Sequence, residues 1–348
     1  MEYDALLIIS FGGPEQREDV IPFLENVLRG KNVPRERMLQ VAEHYYHFAG
    51  KSPINDQNRA LIAALEIELK TRGPKLPIYW GNRNWYPMLG DTLRHMQKDG
   101  IRRALAFTTS AFGSYSGCRQ YREDIHRAAT ETGSGAPEIH KLRTFHNHPG
   151  FIGAMADRIR TALGRIPSDR RDSVTLVFTA HSIPLSMSET SPYVSQLEES
   201  CRLVSHKLGR TTGTLVYQSR SGPPAQPWLE PDICSYIRRL YAGGGVTDIV
   251  IAPIGFLSDH MEVLYDLDTE ASELCQTFGI NLVRASTVGV HPKFVSMIRE
   301  LILERTNGAE RRSVGVNGPP TDYCAADCCP NPRSLITLSD RPAQKEVA

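Results

Sequence analysis

No run of the 348-residue chain stays apolar for the ~18 residues that a bilayer-spanning helix requires, so no membrane span is expected. An excess of either charge sign is also missing: 40 Lys and Arg stand against 39 Asp and Glu, a formal net charge of +1. Without a basic field to grip a phosphate backbone, nucleic acid is not an expected partner. The opening residues, Met1-Glu2-Tyr3-Asp4-Ala5, are acidic where a secretory signal is basic, which points to a cytoplasmic protein. Several catalytic signatures are absent as well. The run Ser10-Phe11-Gly12-Gly13-Pro14 does not complete a GxGxxG fingerprint, and no Walker lysine follows it. There is no G-x-S-x-G elbow and no HExxH zinc motif.

What is present is an ordinary globular composition, 41% apolar and 23% charged. The length exceeds the ~250–300 residues at which one hydrophobic core stops growing, so two domains are expected. Short β-rich runs alternate with long amphipathic stretches. Residues 4–10, 76–80, 104–109 and 138–142 read as strands in the first half, and residues 173–180, 214–218, 248–253 and 281–285 in the second. Segments such as 58–72 and 195–208 read as helices. Unbroken apolar strands between helices indicate parallel sheets covered on both faces, hence an α/β class.

The halves echo each other. Each opens with a buried strand running into a turn that ends in proline, Ser10-Phe11-Gly12-Gly13-Pro14 and His181-Ser182-Ile183-Pro184. Each second strand leads to an arginine with proline soon after, Arg83 and Arg220. With one gap allowed, Phe112, Ser114, Tyr121 and Asp124 match Phe256, Ser258, Tyr265 and Asp268. The expectation is an internal duplication: two similar Rossmann-like domains, each with a four-stranded parallel sheet flanked by helices, facing across a cleft. Their bounds are read as 1–149 and 150–309, with a Gly/Pro-rich linker and cysteine-bearing tail over 310–348.

Ligands of open α/β sheets sit beyond the carboxyl ends of the strands. His181 directly follows one such strand, where imidazole can take a proton or ligate a metal near neutral pH. The second group follows the strand at 248–253: Ser258-Asp259-His260-Met261-Glu262-Val263-Leu264-Tyr265-Asp266. If a helix covers 262–275, then Glu262, Asp266 and Glu270 fall at i, i+4 and i+8 as one ridge of carboxylates able to pass a cation inward. The bland alternative is a solvated acidic face. His260 is read as orienting a neighbour rather than ligating. Of seven cysteines, three crowd together as Cys324, Cys328 and Cys329, a pattern that favours metal over disulfides in a reducing compartment.

Three motifs in this order resemble those of the ferrochelatases, which insert ferrous iron into a porphyrin: His181-Ser182-Ile183-Pro184, Gln218-Ser219-Arg220 with Pro227-Trp228-Leu229, and Gly255-Phe256 through Asp266. The resemblance runs from Ser10 to Leu303, and Gly81-Asn82-Arg83-Asn84-Trp85 with the cysteine tail gives it an actinobacterial character. It implies that His181 is the active-site histidine, with Glu262 its carboxylate partner across the porphyrin. Asp266 and Glu270 match an acidic route for metal, and Arg29 a basic group near substrate propionates. Phe11, Ser52, Ile54, Tyr115 and Trp228 are expected to touch substrate. Phe11 replaces a tyrosine that many firmicute relatives carry and that can ligate iron, so no axial phenol is available here.

A [2Fe–2S] cluster normally needs four thiolates, and the resemblance supplies the fourth as Cys118; free thiols or a zinc site are the alternatives. The implied mechanism distorts a planar tetrapyrrole between apolar walls while two N–H protons leave. His181 would accept a proton or meet the metal first, and Glu262 would accept a proton or hand over the metal, helped by a pKa that burial raises. Coproporphyrin III, giving coproheme, is the implied substrate, and protoporphyrin IX is the alternative. A non-catalytic tetrapyrrole carrier would bind both substrates without turnover, and a cobalt chelatase would be shorter and lack the tail. A monomer is expected, with peripheral membrane contact through the apolar lip left open.

Overall fold

The computed structural model describes residues 2–31, 33–211, 213–223, 225–325 and 327–331, so residues 332–348 of the expected tail lie outside the described residues. All eight expected strands form, as two four-stranded parallel sheets. The first joins β1 (Ala5–Ser10), β2 (Ile78–Asn82), β3 (Arg103–Thr108) and β4 (Glu138–Lys141) in the order β2-β1-β3-β4. The second joins β5 (Thr175–His181), β6 (Thr214–Gln218), β7 (Asp248–Ala252) and β8 (Asn281–Arg284) in the order β6-β5-β7-β8. The repeated order is what an internal duplication produces.

Burial explains which strands are central. Ala5–Ser10 and Asp248–Ala252 are buried at every position, as apolar runs with covered faces require. The edge strands Glu138–Lys141 and Asn281–Arg284 are polar and partly exposed. Because β1 pairs with both β2 and β3, and β5 with both β6 and β7, the crossovers part in opposite directions at the carboxyl ends of β1 and β5. That parting opens a crevice in each sheet.

Helices α1 (Val20–Leu28), α2 (Arg35–His47) and α3 (Ile54–Arg72) fill the β1–β2 connection, and α4 (Leu89–Lys98) and α5 (Gln120–Thr132) follow β2 and β3. Helix α6 (Pro149–Leu163) crosses to the second half, and a helix over Pro292–Thr306 closes it. Both begin with a His-Pro pair: the His148 and His291 rings accept from the N–H two residues on, and proline takes the first helical position. The Pro292–Thr306 helix packs on both α6 and α3. One apolar core therefore runs between the sheets, through Phe107, Phe145, Phe151, Phe178 and Phe294, all at most 1% exposed.

The chain after Thr306 runs back as a strap over the connection between the halves. Arg143 makes a two-point ion pair with Glu304 at 2.7 Å for both contacts, and the side chains are 1% and 3% exposed. Its guanidinium also donates to the Arg312 carbonyl, while Asn147 donates to the Gly318 carbonyl and accepts the Val314 N–H through its own carbonyl.

One helix differs from the sequence expectation. In place of a continuous α-helix over 262–275, a short α-turn Met261–Val263 passes into a π-helix Leu264–Ala271 and then an α-helix Ser272–Thr277. The first half also has π geometry after β3, over Tyr115–Arg119.

Candidate active site

The carboxyl ends of β1, β3, β5 and β7 face one cleft of about 400 Å³, within the usual range for small-molecule sites. One wall comes from the first half, with Phe11, Ser52, Ile54, Phe112 and Tyr45. The other comes from the second, with Ile183, Pro184, Met187, Trp228, Phe256 and Met261. His181 and Glu262 lie on the floor between them.

Strand pairing sets His181. It is the last residue of β5, in register with Gln218 on β6. Its Nδ1–H donates to the Ser182 carbonyl, so the other ring nitrogen, Nε2, is the one presented to the cleft. Tyr193 Oη donates to the His181 carbonyl at 2.9 Å and pins the backbone. Gly255, in the loop after β7, passes so close to Ala180 that a Cβ there would stand 2.6 Å from the Ala180 Cα. This close approach delivers the second loop to the end of β5.

Glu262 is set by its cap. His260 Nδ1 accepts the Glu262 N–H at 3.2 Å and opens the short α-turn, matching the orienting role read for His260. Burial holds His260 below the ordinary histidine value, which keeps that nitrogen an acceptor. Glu262 Oε2 stands 3.7 Å from His181 Nε2, an ion-pair distance a little beyond a hydrogen bond.

Burial opposes charge on both partners, but their mutual attraction wins. The Glu262 carboxylate and the Ser182 carbonyl push His181 up to about 9, and the His181 charge pulls Glu262 down to about 2. The expectation that burial raises Glu262 is thus corrected: the imidazolium beside it outweighs the lost solvation. Near neutral pH the resting site holds an imidazolium and a carboxylate.

Behind Glu262 lies Asp266. It accepts from Ser219 Oγ and from Gln218 Nε2, the latter at 3.2 Å. Burial pushes Asp266 up to about 7, with the Glu262 and Glu270 charges adding to it and the Ser219 hydrogen bond offsetting only part. Ser219 holds a left-handed backbone, φ 61°, uncommon for a residue with a Cβ. Glu270 is exposed and is raised by burial and by Asp232 and Glu273. The three carboxylates thus step outward from the cleft floor to the surface, with the π-helix turning Asp266 toward β6.

Of the substrate contacts expected from sequence, Phe11, Ser52, Ile54 and Trp228 line the cleft, whereas Arg29 and Tyr115 do not. The Arg29 guanidinium donates to Asn26 Oδ1 at 2.5 Å. Tyr115 donates to Glu123 at 3.0 Å and accepts from Asn331 at 3.1 Å, on the side of the tail. Among the described residues, the Lys and Arg side chains at the cleft are Lys31 and Arg83, and Arg83 is a buried ion-pair partner of Asp124. Lys31 and Tyr45 carried no motif signal. Tyr45 is pushed up by burial and by the facing Glu262 charge.

Cys118, Cys324, Cys328 and Cys329 line a second cavity of about 670 Å³ between α5 and the tail. Cys328 Sγ lies 3.5 Å from Cys329 Sγ. Cys324, with Lys141 and Arg122 nearby, lowers the Cys118 thiol against the effect of burial. Among the described residues, no group of three or more His, Cys, Asp or Glu is arranged to hold a metal ion. No helix among them is long and apolar enough to cross a membrane.

These features can be set beside known proteins. A family model for ferrochelatase matches residues 3–306. A ferrochelatase of Rhodopirellula baltica is 56% identical over 344 residues, 98% of each chain. Coproporphyrin III ferrochelatases of Nocardia farcinica and Streptomyces coelicolor are 49% and 47% identical, over 94% and 98% of this chain and 97% of each of theirs. Among solved structures, SirB from Bacillus subtilis with Fe3+ shares the fold at a TM-score of 0.54 and 12% identity, over 87% of this chain and 97% of that one. The matched residues run through both sheets and include His181 and Glu262, and the chain belongs to the ferrochelatase family.

Proposed function

We propose that this chain inserts ferrous iron into coproporphyrin III, giving coproheme, in heme biosynthesis. The observation that carries the reading is the His181–Glu262 pair on the floor of an apolar-walled cleft. The names of the Nocardia and Streptomyces relatives favour coproporphyrin III over protoporphyrin IX. Residues 1–149 and 150–309 are read as two copies of one unit and 310–348 as the tail; the repeated strand order favours this.

In this reading the macrocycle lies between the two walls, with its pyrrole face toward His181 and Glu262. Ferrous iron arrives past Glu270 and Asp266 to the ionised Glu262 carboxylate. A dication there cancels the charge that holds the proton on His181, so the imidazolium gives up that proton by way of Asp266, poised near 7, to solvent. Neutral Nε2 then accepts the two pyrrole protons one after the other and passes each outward by the same route. His181 is therefore a proton store that metal arrival unlocks, rather than a base free from the outset. Replacing His181 by alanine should abolish insertion while leaving porphyrin binding intact; near-normal insertion would overturn the assignment. Parallel incubations with Fe2+ and either porphyrin test the substrate, and faster metallation of protoporphyrin IX would reverse the choice.

The four thiols match a [2Fe–2S] cluster in number and line one cavity, so Cys118, Cys324, Cys328 and Cys329 are the residues that would hold it. Such a cluster, when bound, supplies one-electron redox capacity and a covalent tie between tail and first half. Purified protein with iron, sulfide and visible absorption supports it; colourless, iron-free protein counts against it.

A further inference from the structure

Helix α3 belongs to the first half, yet one of its side chains grips the loop that carries Glu262. Gln57 Nε2 donates to the Asp259 carbonyl at 3.1 Å, and Gln57 Oε1 accepts the Asp259 N–H at 2.8 Å. One amide thus meets both backbone groups of one residue, which only a side chain with a donor and an acceptor can do. Asp259 is also held from its own half: its Oδ1 accepts from Arg284 at 2.6 Å and from the Thr287 N–H at 3.3 Å. Gln57 is the cross-cleft member of this set. Three residues before it in sequence, Ile54 lines one wall of the cleft; three residues after Asp259, Glu262 lies on its floor. Asn55 offers the same chemistry on the same helix turn, but its amide is engaged with Gly13, Glu15, Tyr86 and Asn82, all within the first half.

We propose that Gln57 is a positioning residue for iron insertion: it ties the porphyrin-facing start of α3 to the Asp259 backbone and so sets the separation of the macrocycle from Glu262. The proposal rests on reading Glu262 as the metal-handling carboxylate. Groups that orient metal-handling side chains typically cost 10–100-fold when removed, and small misplacements of reacting groups act similarly.

The test compares the full-length parent with Gln57→Met, Gln57→Glu and Glu262→Gln. Ferrous iron insertion is measured at varied iron and varied porphyrin, and porphyrin affinity by fluorescence quenching without metal. Gln57→Met should lower kcat/KM for iron about tenfold. Porphyrin affinity should stay within about twofold, because the walls are untouched. Gln57→Glu, which keeps the acceptor for the Asp259 N–H, should recover part of the loss. An unchanged kcat/KM for iron in Gln57→Met, with Glu262→Gln impaired, overturns this proposal alone. A parallel fall in porphyrin affinity also overturns it, since that marks a general brace. Full activity in Glu262→Gln would overturn the underlying reading and this proposal together. If Gln57→Met does not fold, Gln57→Asn, too short to span both groups, carries the same expectation.

Discussion

Replacing Asp266 by asparagine removes one negative charge from a row of three while keeping an oxygen to accept from Ser219 and Gln218. The carboxyl stands at about 7 in the folded chain against an ordinary 3.8, because burial and the charges of Glu262 and Glu270 disfavour its ionised form. A folded-state value raised above the unfolded one means that the native protein holds a proton which the unfolded chain has lost. Native stability therefore declines as pH rises from 3.8 and levels off above about 7. At about 1.4 kcal/mol per tenfold change in proton affinity, the ceiling is about 4 kcal/mol at pH 8 and about 1 kcal/mol at pH 4.5. Solvent at the cleft screens part of this, so roughly half is expected, about 2 and 0.5 kcal/mol. Asp266→Asn should thus be more stable than the parent, by a margin that grows with pH. Urea unfolding followed by far-UV circular dichroism at the two pH values measures it. A margin independent of pH, or a less stable variant at pH 8, would refute the reasoning. The same variant should insert iron more slowly, because stability and transport make opposite demands on this carboxylate.

Arg143→Met leaves the buried Glu304 carboxylate with only the more distant Arg311 at 4.0 Å and should cost about 3 kcal/mol in denaturant titration; the double variant with Glu304→Met should recover most of that. Gly255→Ala forces a Cβ to within 2.6 Å of the Ala180 Cα, so it should destabilise by about 1–3 kcal/mol and slow insertion by displacing the loop that carries Glu262. The His181 ring should titrate near 9 by NMR in the parent, protonated throughout the neutral range. In Glu262→Gln it should fall toward the ordinary histidine value, because burial is then opposed only by the Ser182 carbonyl and Asp266; a titration still near 9 would show that the carboxylate is not what holds the proton.

The fold was legible because its central strands are apolar on both faces. Residues 5–10 and 248–252 leave no alternation to misread, and turn residues punctuate the intervals. The likeness of the halves was legible in Phe112, Ser114, Tyr121 and Asp124 against Phe256, Ser258, Tyr265 and Asp268, and the structure repeats the strand order in each half. The match is incomplete in detail. Asp124 pairs with Arg83 after β2, whereas Asp268 pairs with Arg284 at the end of β8, so each copy has anchored its aspartate differently. Long-range contacts were the least legible. Nothing local marks Gln57 as the partner of Asp259, 202 residues away, or Tyr45 as the residue facing Glu262.

The acidic ridge shows why a correct choice of residues can rest on the wrong geometry. Reading Glu262, Asp266 and Glu270 at i, i+4 and i+8 assumes α-helical spacing, which would put three like charges on one face at mutual cost. The π-helix over Leu264–Ala271 bonds i to i+5 and widens each turn, so the three separate in environment. Glu262 opens to the cleft beside an imidazolium, Asp266 turns back onto β6, and Glu270 reaches solvent. Their acidities part accordingly: about 2 for Glu262, about 7 for Asp266, and a rise for the exposed Glu270. The innermost of the three is thus the most firmly ionised, and Asp266 behind it can hold a proton near neutral pH. The irregular turn, costly in hydrogen-bond geometry, gives the three carboxylates of the ridge separate environments.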